Sequence, residues 1–107
     1  MSIQAAMKQA QALQGKMGEL QKKLEQELVE GKAGGGLVKV TTTCKGEVKK
    51  VEIEGSILTP ADKEVLEDLI VAAFNNAKQG ADEKMNEEMK KIASSLGIPA
   101  NMLNLPF

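Results

Sequence analysis

Residues 60–96 carry apolar side chains at helical spacing over more than a third of the 107-residue chain. The apolar stripe is broad after Leu66 and narrows towards Met89. A single helix over these residues would be about 55 Å long, which is longer than a domain of this size can cover. The pattern therefore predicts either a break near Gly80 or a distal half that projects or packs on a second chain.

The ends of this region carry the residues that begin and stop helices. Thr59 is a suitable N-cap, Pro60 fits the first helical position, and Asp62 favours the positive end of the helix. Gly97 and Pro99 are typical of a helix end. We therefore predict a helical region bounded on both sides.

The N-terminal segment repeats its apolar residues in sevens. One set is Ile3, Ala10, Met17 and Leu24, and the other is Ala6, Leu13 and Leu20. This a/d heptad pattern predicts a helix at 2–26 that buries one narrow seam against a partner.

Two segments between the helical regions alternate apolar and polar residues. In GLVKVTTT, Val38, Val40 and Thr42 share one face, and in EVKKVEIE the same holds for Val51 and Ile53. The connection TCKGE contains a glycine and indicates a hairpin, and LVEGK upstream predicts a third, weaker strand. One polar face on each strand predicts an antiparallel sheet that is covered on one side only.

The stretch GKAGGGLVKV holds four of the chain's ten glycines. A phosphate-binding loop needs a lysine after its last glycine and a helix to follow. Here Lys32 precedes the three consecutive glycines, and a predicted strand follows from Leu37. The stretch is therefore predicted to be a turn between two strands.

Several residue types are absent, and their absence limits the chemistry. There is no histidine, all fourteen cationic side chains are lysine, and Cys44 is the single cysteine. We therefore expect no enzyme, no metal or other cofactor, no small-molecule substrate and no internal disulfide. Because no run has the length of a signal peptide core or a membrane span, we expect a soluble cytosolic protein.

The lysines of the first helix gather on one part of its surface. Residues 1–23 contain Lys8, Lys16, Lys22 and Lys23 against Glu19 alone. The four lysines fall within roughly a third of the helix circumference, and we expect them to lie away from the apolar seam. Composition alone favours a solvated helix face over a stripe that binds a polyanion.

Two other residue types on the C-terminal helix allow a structural and a functional interpretation. Glu87 and Glu88 are sequence neighbours, so we expect them on solvated faces without a catalytic or metal-binding role. Met85 and Met89 lie one turn apart and are predicted to fill a core or an interface; adaptable binding of a partner is the alternative.

The order of three segments resembles a known family. AMKQAQALQGKMGELQKKL leads through VEGKAGGGLVKVTTTCKGEVKKVEIEGSIL to DKEVLEDLIVAAFNNA. Together these segments resemble the YbaB/EbfC family of bacterial nucleoid-associated proteins over almost the whole chain. The resemblance is strongest from Glu30 to Ala77, and GGGLVKV, GEVKKVEI and LEDLIVAAFNNA are its most specific parts.

The resemblance implies an α+β fold with the order α-β-β-β-α and long projecting helices in a tweezer-like homodimer. An antiparallel three-stranded sheet in each subunit would form the dimer core. The chain is then one domain with four parts: a helix at 2–26, a β region at 28–54, a helical region at 60–96 and an apolar tail at 97–107.

The resemblance also implies that the protein binds double-stranded DNA in the nucleoid of a bacterial cytoplasm. Contacts in the family lie on the projecting helices. That nominates as DNA-binding residues Lys8, Lys16, Lys22 and Lys23 and, more weakly, Lys84, Lys90 and Lys91.

Without arginine, we expect contact with the DNA backbone and little reading of base sequence. The resemblance also implies a nucleoid-associated or gene-regulatory role. Without tryptophan or tyrosine, duplex DNA is a better target than single strands. The alternative function is a protein–protein interaction module on the same fold that uses its Met and Leu helix stripes.

Overall fold

A computed structural model of the chain describes residues 2–97. Its main elements are helix α1 (Ile3–Gln26), strands β1 (Leu28–Ala33), β2 (Val38–Thr43) and β3 (Val48–Ile53), and helix α2 (Lys63–Ser95). The predicted α-β-β-β-α order is confirmed. Apart from Gly97, the predicted apolar tail lies outside the described residues.

The three strands form one antiparallel sheet in the order β1-β2-β3. Gly31 of β1 pairs with Val40 of β2, which in turn pairs with Val51 of β3. The segment that the sequence marked as a weaker strand is thus a full member of the sheet.

The glycine-rich stretch forms the turn between β1 and β2. Gly34, Gly35 and Gly36 have φ angles of 63°, 67° and 97°. Glycine is the residue that adopts this left-handed region without strain, so the three glycines meet a requirement of the backbone. The prediction of a turn is confirmed, because the chain enters β2 and not a helix.

Helix α2 is continuous over 33 residues and passes through Gly80 without a break. Its start is slightly later than predicted. Thr59 accepts a hydrogen bond from the backbone N–H of Asp62 at 3.3 Å, but this cap closes a short 3₁₀ turn (Pro60–Asp62), and α2 begins at Lys63.

The proximal half of α2 covers strands β1 and β2. Ala73 and Ala77 are fully buried and pack in one cluster with Val38 and Val40. Small residues on α2 face Gly31 on β1, which lets the helix backbone approach the strand closely. This contact fixes the helix on the sheet.

The distal half of α2 extends beyond the sheet and packs against α1. Leu20 and Leu24 of α1 share a buried cluster with Met89 and Ile92 of α2. The helices run antiparallel, since Gln9 near the start of α1 donates a hydrogen bond to the Leu96 carbonyl at 3.4 Å. The C-terminal part of the seam predicted for the first helix is therefore buried within the chain, whereas its first members, Ile3, Ala6 and Ala10, are exposed.

The paired helices make the molecule long. Its extents are 68 × 22 × 17 Å and its radius of gyration is 19.0 Å, whereas a compact chain of this length has about 13 Å. At the outer end of the pair, Ile3 and Met7 remain exposed.

We predict that Gly31→Ala strongly destabilises the fold. An added Cβ would lie 2.1 Å from the Ala73 carbonyl oxygen and 2.3 Å from the Ala77 nitrogen, so α2 would have to move away from the sheet. We expect the free energy of unfolding to fall by about 3 kcal/mol, measured by urea denaturation at a fixed protein concentration.

The matched control is Gly15→Ala, which lies inside α1 and has open space around its Cβ position. Removing a helical glycine there should raise the free energy of unfolding by about 0.5–1 kcal/mol. Equal effects of the two variants would contradict the close approach at Gly31.

Candidate nucleic-acid interface

Helix α1 carries four of the seven lysines nominated for DNA binding. Ser2 is the N-cap of this helix, and its Oγ accepts a hydrogen bond from the Ala5 N–H at 3.1 Å. Lys8, Lys16 and Lys22 are exposed, and none of them forms an ion pair with any residue of 2–97.

The heptad positions of these lysines explain where they lie. Lys8 and Lys22 occupy the f position, which is opposite the seam, whereas Lys16 and Lys23 occupy the g position, which flanks it. The expectation that all four lie away from the seam is therefore wrong for Lys16 and Lys23. Both border a groove between α1 and α2.

This interhelical groove has a volume of about 280 Å³. Its walls come from both helices and combine cationic, acidic and apolar side chains. It is lined by Lys16, Glu19, Leu20, Lys23, Glu88, Lys91, Ile92 and Ser95. Three of the seven nominated lysines thus meet around one groove.

Glu88 lies in this groove and is only 7% exposed. Its Oε1 is 2.8 Å from the Nζ of Lys23 and 3.5 Å from the Nζ of Lys91. The hydrogen bond from Lys23 is the main reason that the pKa of Glu88 is lowered, and the same bond raises the pKa of Lys23. The expectation that Glu88 lies on a solvated face is wrong, although its neighbour Glu87 is exposed.

A second ion pair ties the end of α1 to α2. The Nζ of Lys84 lies 2.9 Å from Oε1 of Glu27, the residue that follows α1. This hydrogen bond raises the pKa of Lys84. Lys84 is therefore held at the junction between the helices and the sheet.

Lys90 is exposed and belongs to a different surface. It follows Glu88 by two residues, so it lies about 200° further round α2 and faces away from the groove. The seven nominated lysines consequently do not form one continuous patch.

Two methionines of α2 and the cysteine pack against the core of the molecule. Met89 is 5% exposed, and Met85 packs on the same cluster from its edge. Cys44 is buried in that cluster, and desolvation raises the pKa of its thiol. Met89 therefore belongs to the contact with α1, whereas half-buried Met85 also lines a groove beside β3.

The sheet keeps one apolar surface uncovered, which we call the β3 shelf: Val48 and Val51 of β3 together with Val71 and Phe74 of α2. Helix α2 lies over β1 and β2, so Val48 and Val51 remain 45% and 42% exposed although they share the face of buried Val40. A groove of about 460 Å³ between β3 and α2 is lined by Val48 and Phe74.

No helix of residues 2–97 is long and apolar enough to cross a membrane. Within the same residues, no three Cys, Asp or Glu side chains are grouped so that they could hold a metal ion.

The elongated α-β-β-β-α fold with lysines along its helices is the architecture that the resemblance to nucleoid-associated proteins implies. Comparison with known proteins supports this class. Residues 1–96 match the model of the YbaB/EbfC DNA-binding family. A nucleoid-associated protein of Granulibacter bethesdensis is 46% identical over 99% of this chain and 98% of its own length. One of Afipia carboxidovorans is 52% identical over 87% and 89%, respectively.

The chain therefore belongs to the YbaB/EbfC DNA-binding family, which is not a family of enzymes, and the resemblance inferred from the sequence is confirmed. Its fold is also similar to the crystal structure of an uncharacterized protein from Helicobacter pylori. That match has a TM-score of 0.70 at 23% identity and covers 81% of this chain and 91% of the other.

The buried carboxylate predicts how stability depends on pH. Because the pKa of Glu88 is lower in the folded chain than its ordinary value of 4.5, its ion pairs stabilise the fold above that pH. Their contribution is lost as the pH falls below 4.5 and the folded carboxylate becomes protonated. At pH 7 we expect Glu88→Gln to lower the free energy of unfolding by about 1–2 kcal/mol.

The difference in the free energy of unfolding between the wild type and Glu88→Gln should shrink progressively as the pH falls from 5 to 3. Urea denaturation at each pH measures it. Glu87→Gln controls for the loss of one carboxylate. A difference that stays constant down to pH 3 would show that the charge of Glu88 does not stabilise the fold.

Proposed function

We propose that this protein binds double-stranded DNA as a nucleoid-associated homodimer, through phosphate contacts that read little base sequence. The observation that carries the proposal is the set of exposed lysines on α1, Lys8, Lys16 and Lys22, none of which is paired with a carboxylate of residues 2–97. Membership of a family described as DNA-binding supports it.

The spacing of these lysines suits a charged rod better than a small anion. Lys8 and Lys22 are fourteen residues apart, so their Cα atoms are separated by about 21 Å along the helix. Over that distance a DNA duplex carries about a dozen phosphate charges. Lysine acts as a point charge on phosphate, which favours binding that is independent of base sequence.

The remaining nominated lysines make smaller contributions in this proposal. Lys23 and Lys91 share Glu88, and Lys84 is paired with Glu27. Lys90 is accessible, but Glu87 lies three residues before it on the same side of α2. We therefore assign the principal phosphate contacts to the three lysines of α1.

DNA binding should depend steeply on salt. Three contacts in each of two subunits give an expected slope of about −5 in a plot of log K against log salt concentration. Fluorescence anisotropy on a labelled 30-base-pair duplex, repeated with a scrambled sequence, measures both the slope and the sequence preference. The triple variant Lys8→Gln, Lys16→Gln, Lys22→Gln should lose most of its affinity for the duplex. Its plot of log K against log salt concentration should also be much less steep.

The matched control replaces three lysines of the sheet by Gln, at Lys32, Lys49 and Lys50. Each of them is paired with a glutamate on the same strand or beside it, so the net charge changes equally while α1 keeps its cations. Equal loss of binding in both triple variants would contradict a specific role for α1.

The homodimer in this proposal forms through the β3 shelf. Val51 and Val71 are exposed valines on the two walls of this surface, where the partner's equivalent surface would remove them from water. Residues four apart lie on one side of a helix, which puts Val71 on the same side of α2 as Asn75, a residue of the groove beside β3. The occupant is a second copy of this chain, because self-association is what the family resemblance implies.

Val51→Lys should therefore produce a monomer, because it puts a charge in the centre of an apolar interface. Val65→Lys is the control: Val65 is 50% exposed, but it lies about 120° around α2 from Val71. Light scattering after size-exclusion chromatography measures the mass of each variant. A dimer that persists in Val51→Lys, or dissociates equally in Val65→Lys, would exclude the β3 shelf as the interface.

A further inference from the structure

The interhelical groove contains an acidic residue among lysines nominated for DNA binding. Glu88 is buried and accepts hydrogen bonds from Lys23 of α1 and Lys91 of α2, and Lys16 stands on the same rim. The two lysine side chains keep 51% and 69% of their surface exposed, so their ammonium groups face both the carboxylate and the solvent.

We propose that Glu88 limits the DNA affinity of the helix pair by holding Lys23 and Lys91 in the interhelical groove. Held there, the two lysines cannot form full ion pairs with DNA phosphates. The inference rests on the proposed DNA binding, and it adds a residue that regulates it. Glu88 makes no contact with DNA in this scheme and acts through the two lysines.

Burial is what makes the carboxylate an effective competitor. Glu88 is 7% exposed with both lysines in place. If both turned outwards to phosphate, its carboxylate would lose both ion pairs at a position lined by the apolar side chains of Leu20 and Ile92, which is unfavourable. A phosphate at the surface offers each lysine a solvated partner instead, and that interaction is screened by salt. Lys23, at 2.8 Å, is held more closely than Lys91, at 3.5 Å.

The charge of the groove changes accordingly. Three lysines, Lys16, Lys23 and Lys91, face two carboxylates, Glu19 and Glu88, which leaves a formal charge of +1. Removing the charge of Glu88 raises it to +2 and leaves both of its lysines without their buried acceptor. The number of phosphates that the helix pair can engage then increases.

The test compares Glu88→Gln with Glu87→Gln. Both variants remove one negative charge at adjacent positions, but only the first releases Lys23 and Lys91, because Glu87 is exposed and has no ion pair within residues 2–97. Binding to a 30-base-pair duplex is measured by anisotropy over a range of salt concentrations, well below the unfolding temperature of each variant.

We expect Glu88→Gln to bind roughly fivefold more tightly for each lysine that it releases. Its salt slope should steepen by up to about 3.6 for four additional contacts in a dimer. Glu87→Gln should keep the wild-type slope. Adding Lys23→Gln to Glu88→Gln should remove part of the gain, which identifies the released lysine as its source.

A second comparison needs no change at Glu88 and so applies even if Glu88→Gln does not fold. Lys22→Gln and Lys23→Gln remove neighbouring lysines, one unpaired within residues 2–97 and one held by Glu88. Lys22→Gln should weaken DNA binding by roughly fivefold, whereas Lys23→Gln should change it by less than about twofold.

Equal effects of Lys22→Gln and Lys23→Gln would overturn the inference, as would equal slopes of folded Glu88→Gln and Glu87→Gln. Failure of the proposed function has a different result: the folded wild type and every variant would then lack salt-sensitive binding. Circular dichroism spectra establish that each variant is folded.

Discussion

The close contact between α2 and β1 at Gly31 determines where the other surfaces of this protein lie. The helix backbone occupies the space of a Cβ atom at that position, so α2 is fixed over β1 and β2. One consequence is that the apolar face of β3 remains uncovered. The other is that the distal half of α2 extends past the sheet, where α1 packs along it as an antiparallel partner.

The charges follow from that arrangement of helices. Positions that flank an antiparallel seam come close to the opposite helix, which is why Lys23 meets Glu88. The pair of Lys84 and Glu27 lies just beyond the end of α1. The f positions of α1 have no helix in front of them, and their lysines stay in solvent. The same heptad repeat therefore produces both the lysines that join the helices and the lysines that are available to a polyanion.

Local sequence patterns predicted the elements of the fold, but several contacts depend on residues far apart in the chain. The a/d repeat around Leu20 predicted the seam. The g positions of the same repeat flank that seam, and they are the positions of Lys16 and Lys23. Glu88 lies three residues after Met85 and four before Ile92, on the apolar side of α2, but no local pattern shows that Lys23, 65 residues away, covers it there. The same applies to Gly31, whose neighbour is the backbone of α2.

In the proposed function, DNA binding depends both on the local excess of lysines on α1 and on self-association. The chain as a whole carries a formal charge of −1, so attraction to DNA has to come from the local excess of cations on α1. The three α1 lysines without an ion pair in residues 2–97 are few for a duplex, but the proposed dimer would present two such sets, and binding of the first set would make that of the second intramolecular. In this proposal the β3 shelf influences DNA affinity without touching DNA. By the same linkage, a duplex that engages both subunits stabilises the dimer.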